Sequence, residues 1–152
     1  MKSGFFRKFV YYATLVMITL SGFAQMPIFK RYYIADIPGL GWLAKFYVTH
    51  QIHYITAVIL IAFSFYMLTG YILKRSAGVR LTAVAKLKIF SIAGLIATGG
   101  ILAYKNLPGV YMGHGLISIL DIVHLGFCML LLMTGFYSLV AKKKWVKQTT
   151  RY

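Results

Sequence analysis

The chain has 152 residues, 60% of them hydrophobic and 12% charged, and its mean hydropathy is +0.74, whereas a soluble domain carries roughly a quarter charged residues. That composition excludes a soluble globular domain, and seventeen Lys and Arg against two acids, Asp36 and Asp121, for a net charge of +15, leave too few carboxylates for a paired-acid hydrolase or an oxygen-lined cation cage. The one cysteine, Cys128, cannot close an internal disulfide, a thiolate zinc site or an iron–sulfur cluster within this chain.

A spanning helix needs about 20 apolar residues, and four stretches approach or exceed that length. The first runs over 9–29, between Lys8 and Lys30. Lys2, Arg7 and Lys8 ahead of it could mark a secretory signal, but Ser21-Gly22-Phe23-Ala24 shows no clear small-x-small cleavage pattern, and the segment is expected to be retained. The loop that follows holds a Pro- and Gly-rich turn over residues 34–44, in which Asp36 could act as a cap. A second span is expected over 46–73. The third, over 86–104, must include Lys86 and Lys88, whose stems can snorkel to the interface. Pro108-Gly109 then marks a turn before a fourth span over 110–141.

The basic residues divide unevenly among the ends of these spans. Thirteen lie on the side of the N-terminus, the 74–88 connection and the C-terminal tail, against four (Lys30, Arg31, Lys45, Lys105) on the other. The positive-inside rule therefore predicts an all-α, four-helix transmembrane bundle, 1–152 as one integral domain, with both termini cytoplasmic in a bacterial-type inner membrane. Trp42, Tyr47, Tyr32 and Tyr33 would make the outer aromatic belt, and Trp145, Tyr11 and Tyr12 the inner one. The +15 charge then serves topology and contact with anionic lipids; it is no nucleic-acid footprint.

Histidine is the ligand type that remains: His50, His53, His114 and His124. Ligating groups in a span are functional candidates by default. Measured at ~1.5 Å per residue from Lys74 and Lys142, His53 lies ~31 Å and His124 ~27 Å along their spans, nearly level, whereas His50 (~36 Å) and His114 (~42 Å) fall near the outer interface. Two imidazoles at one depth on separate helices suit the two faces of a haem iron, so His53 and His124 are the favoured axial pair. His50 and His114 read better as interfacial contacts to haem propionates, a quinone or water. Two other readings stay open: imidazoles that only hydrogen-bond neighbouring helices, and a four-His zinc site. Gly115, Gly126, Ala57 and Ala62 on spans two and four would let a flat cofactor or another helix approach. Asp121, one turn before His124 and on its side of the helix, reads as a buried acid, a candidate proton relay or interhelical hydrogen-bonding group, and Cys128 reads as packing. The sequence shows no internal repeat.

Three segments carry a resemblance. Leu20-Ser21-Gly22-Phe23 closes the first span, Ile52-His53-Tyr54-Ile55-Thr56-Ala57 opens the second, and Asp121-Ile122-Val123-His124-Leu125-Gly126 lies in the fourth. Together with the four-span topology, the chain resembles the b-type cytochrome membrane subunits of respiratory formate dehydrogenases and nickel–iron hydrogenases. The resemblance implies electron passage between an iron–sulfur or cytochrome partner at the outer face and a quinone, by way of haem b. Those cytochromes generally carry a His in span one and a second His further along span four. Here span one has none, and the corresponding later positions are Tyr137 and Ser138, so one haem is expected. A haem-free anchor or assembly subunit is the alternative of another class; a small transporter is disfavoured by the lack of paired intramembrane charges.

Overall fold

A computed structural model describes residues 2–26, 33–75 and 79–148. It contains four long helices: α1 (Lys2–Ala24), α2 (Phe46–Arg75), α3 (Ala83–Tyr104) and α4 (His114–Val140). Two short strands, β1 (Val79–Leu81) and β2 (Val146–Gln148), pair antiparallel with Arg80 opposite Lys147, an element that the hydropathy pattern did not announce.

Among the described residues three helices are long and apolar enough to span a membrane: Phe46–Leu73, Ala83–Tyr104 and His114–Val140. The first of these coincides with the expected second span. The third expected span begins earlier, at Ala83, because Thr82 caps it: its hydroxyl accepts from the Ala85 N–H at 3.2 Å. The fourth begins later, at His114 rather than Val110. Val110 N–H closes the Pro108-Gly109 turn on Leu107 O, Gly109 takes φ +79°, and no helix forms before the cap residue Gly113. The first helix stops at Ala24, so its charge-free part, 9–24, rises only ~24 Å against a ~30 Å hydrocarbon core; residues 27–29 of the expected span lie outside the described residues. The turn over 34–44 is two 3₁₀ turns, Ile34–Asp36 and Gly41–Ala44, the second anchored by a buried Leu43. The first has no side-chain cap, and Asp36 is exposed at its end.

The chain divides into two compact units, Met1–Gly70 and Tyr71–Tyr152. In the first, α1 and the turn that ends it present Thr14, Ile18, Ser21 and Gln25, and α2 presents Thr49, His53, Thr56, Leu60 and Phe63, both at alternating three- and four-residue steps. This is the spacing of a seam between two helices. Ser21 and Thr49 are fully buried on it, Tyr11 meets Phe63 at 5.6 Å between ring centroids, and the opposite faces expose Ile55, Val58 and Phe65. Seam hydroxyls bond back to their own helices: Thr49 to Phe46 O at 2.9 Å, Thr56 to Ile52 O at 2.7 Å. Small and hydroxyl-bearing residues at the seam, with large apolar residues outside, are the pattern of helices that associate in lipid rather than in water.

In the second unit α3 and α4 form an antiparallel hairpin, since β1 leads directly into α3 and pairs with β2, which follows α4. Its seam carries Ala85, Lys88, Ile92 and Thr98 on α3 and Ile117, His124, Phe127, Leu131 and Thr134 on α4. The Thr82 hydroxyl donates to Lys144 O at 3.0 Å and the Thr82 N–H to Trp145 O at 3.0 Å, tying the open end of the hairpin. Lys88, 5% exposed, ends over the Trp145 indole at 5.2 Å, a cation–π contact that shelters its charge. Helix α4 ends in a Schellman turn: Lys142, at φ +48°, donates to Leu139 O, and Lys143 donates to Ser138 O.

Candidate functional site

His53 lies seven residues into α2 and His124 ten into α4, ~10 Å and ~15 Å along their helices. Each is half-buried on its seam. His53 Nδ1 is 3.1 Å from Ile18 O and 3.3 Å from Ser21 Oγ, both on α1. A carbonyl can only accept, so Nδ1 carries the proton. The Ser21 hydroxyl gives its own hydrogen to Ile18 O at 3.1 Å and offers a lone pair toward the ring. In the neutral imidazole the lone pair then lies on Nε2, the nitrogen that would bind a metal.

His124 is held in the same way. Its Nδ1 is 2.8 Å from Thr98 Oγ1 on α3, and that hydroxyl donates to Gly94 O at 2.7 Å. Having spent its hydrogen, the hydroxyl accepts from Nδ1–H, and Nε2 again carries the lone pair. Each ring also lies over a glycine. A Cβ on Gly22 would stand 3.1 Å from His53 Cε1, and one on Gly99 would stand 3.2 Å from His124 Cε1.

His50 has a different setting. Its Nδ1 is 3.0 Å from Gln25 Oε1, it stacks on Phe46 at 5.2 Å between centroids, and Tyr54 lies 4.4 Å away on the same measure. Gln25 in turn makes a long bond to Ser21 O at 3.5 Å. His114 is the first residue of α4 and is exposed. Asp121 is exposed as well, where the sequence suggested a buried acid: the α4 seam passes through Ile117, His124 and Leu131, and Asp121 falls to one side of that line. Cys128 is a half-buried free thiol.

Gly115 and Gly126, where the sequence leaves room for a flat group or another helix, face open space in the described structure. A Cβ on Gly115 or Gly126 would meet nothing within 4 Å, because both point away from the seam. The glycines that lie against the histidines are Gly22 and Gly99, on the partner helices. The missed signal was a hydroxyl–glycine dipeptide, Ser21-Gly22 and Thr98-Gly99, near the end of the helix that precedes each histidine. Among the described residues no group of three or more His, Cys, Asp or Glu could hold a bare metal ion, while a porphyrin supplies four nitrogens itself and asks the protein for two ligands or fewer. Among them, too, every buried side-chain nitrogen or oxygen has a hydrogen-bond partner. No family model, curated protein or solved structure matches the chain.

Proposed function

We propose that this chain is a membrane b-type cytochrome that binds one haem b with His53 and His124 as axial ligands, and that it serves as the membrane subunit of a larger respiratory redox complex. The observation that carries the reading is the shared state of the two imidazoles. Each meets an oxygen of the neighbouring helix through Nδ1, Ile18 O for His53 and Thr98 Oγ1 for His124, a contact that in the Nδ1–H tautomer turns Nε2 to a metal, which is how haem-ligating histidines are oriented and made more basic.

Bound haem supplies one-electron transfer. The chain's own residues do the remainder: Ile18 O, Ser21 and Thr98 orient the ligands, Gly22 and Gly99 leave the rings unobstructed, and the apolar flanks exclude water. In this reading α1 is a fourth, short span, both termini lie in the cytoplasm of a cell with a cytoplasmic membrane, and the basic ends contact anionic lipid. An iron–sulfur or cytochrome subunit at the outer face and a quinone are the electron partners, as in the formate dehydrogenase and hydrogenase cytochromes that the sequence resembles. His50 and His114 would contact propionates or quinone, and Asp121 could exchange protons with the latter.

The same Nδ1 bonds would equally tie helices together in a haem-free anchor or assembly subunit, and an absorption spectrum separates the two. Purified protein reconstituted with haem is expected to show a low-spin b-type spectrum at one haem per chain by pyridine haemochromogen assay. His53→Ala or His124→Ala is expected to abolish it. A well-folded preparation that takes up no haem would select the anchor.

A further inference from the structure

We propose that Ser21 and Thr98 are matching positioning residues, the hydroxyl members of a hydroxyl–glycine–histidine arrangement that the chain builds twice, once in each compact unit. The ligand they serve rests on the haem reading; the geometry does not.

The two arrangements agree feature by feature. Each hydroxyl lies near the end of the first helix of its unit, three residues before Ala24 in α1 and six before Tyr104 in α3. Each spends its hydrogen on its own helix, Ser21 on Ile18 O at 3.1 Å and Thr98 on Gly94 O at 2.7 Å. Each turns its oxygen to a histidine Nδ1 on the following long helix, at 3.3 Å and 2.8 Å. In each the next residue is glycine, lying under the ring at a spacing that a methyl group would crowd. The sequence conceals the correspondence. Ser21 precedes His53 by 32 residues and Thr98 precedes His124 by 26, because the connection after α1 carries two 3₁₀ turns while that after α3 is a short turn.

The chemical consequence is control of the tautomer. An imidazole in an apolar setting has two neutral forms of similar energy; a fixed acceptor at Nδ1 selects the one that presents Nε2. The two sites differ in one respect that makes the role testable. At His53 the Ile18 carbonyl shares the Nδ1 proton at 3.1 Å, whereas at His124 the hydroxyl makes the shorter bond. Loss of the Thr98 hydroxyl should therefore matter more than loss of the Ser21 hydroxyl.

The experiment uses the full chain in lipid nanodiscs, as wild type, Thr98→Val, Thr98→Ser and Ser21→Ala, with helix content checked by circular dichroism. Two quantities are read: haemin affinity by spectral titration, and the histidine tautomers of haem-free protein by 15N NMR. Thr98→Val, which keeps the side-chain shape, is expected to weaken haemin binding ~10–100-fold, the usual cost of losing a partner to a metal-ligating histidine, and to turn one histidine from the Nδ1–H form to a tautomeric mixture. Thr98→Ser should restore both, and Ser21→Ala should cause a smaller loss of affinity. If wild type takes up no haemin while Thr98 still governs the tautomer, the haem reading fails and the positioning role stands. Wild-type affinity and an unchanged tautomer in Thr98→Val would overturn the proposal.

Discussion

A three-residue step along α2 separates two histidines with distinct surroundings. His53 falls on the seam and donates to α1 backbone, while His50 stands a turn nearer the helix start between Phe46 and Tyr54, bonded to the Gln25 amide. Ring stacking and a side-chain amide hold His50, whereas His53 bonds the backbone of the neighbouring helix. Substituting His50→Ala is therefore expected to leave haem content at the wild-type level in reconstituted protein, with at most a shifted reduction potential, in contrast to His53→Ala. Haem loss from the His50 variant, with retention in the His53 variant, would exchange their roles.

The α3–α4 hairpin is tightest at Gly94. A Cβ on Gly94 would stand 2.5–2.6 Å from three atoms of the Phe127 ring, which itself packs edge-on against Phe90 at 5.5 Å. Real atoms do not approach so closely, so Gly94→Ala must push the ring or the helix aside at a cost of about 1–3 kcal/mol. The control is Gly100→Ala, whose new methyl would meet nothing within 4 Å and which gains about 0.8–1 kcal/mol of helix propensity. Thermal denaturation in detergent should lower the midpoint for Gly94→Ala and leave it equal or higher for Gly100→Ala.

For the molecule as a membrane protein, the parity of the spans fixes on which side each terminus lies. Three helices meet the length and hydropathy needed to cross, and α1 is shorter in its apolar part, with Tyr11 and Tyr12 near its charged end. Thinning of the bilayer and snorkelling of Arg7 and Lys8 would let such a helix cross at a modest cost. The thirteen-to-four division of basic residues favours four crossings. Reporter fusions ahead of Met1 and after Tyr152 are expected to report the same, cytoplasmic, side; opposite sides would show that α1 lies along the interface and three helices cross.

The existence and type of the long helices were legible in the sequence, because an apolar run with no water to satisfy its backbone must close its hydrogen bonds internally, a local requirement that length and hydropathy express. Thus the start of α2 at Phe46 is legible to the residue, while α4 begins four residues later than hydropathy places it, because the stretch from Val110 to Gly113 carries no hydropathy signal. The histidines, too, stood out by being polar within such runs. What surrounds them did not. Whether Gly22 or Gly126 lies beside an imidazole, whether Asp121 is covered, and which hydroxyl fixes which tautomer all depend on how one helix is rotated and shifted against its neighbour. Those two variables are set by the small-residue seam as a whole, through contacts between segments 26 or 32 residues apart, and no periodicity within a single helix encodes them.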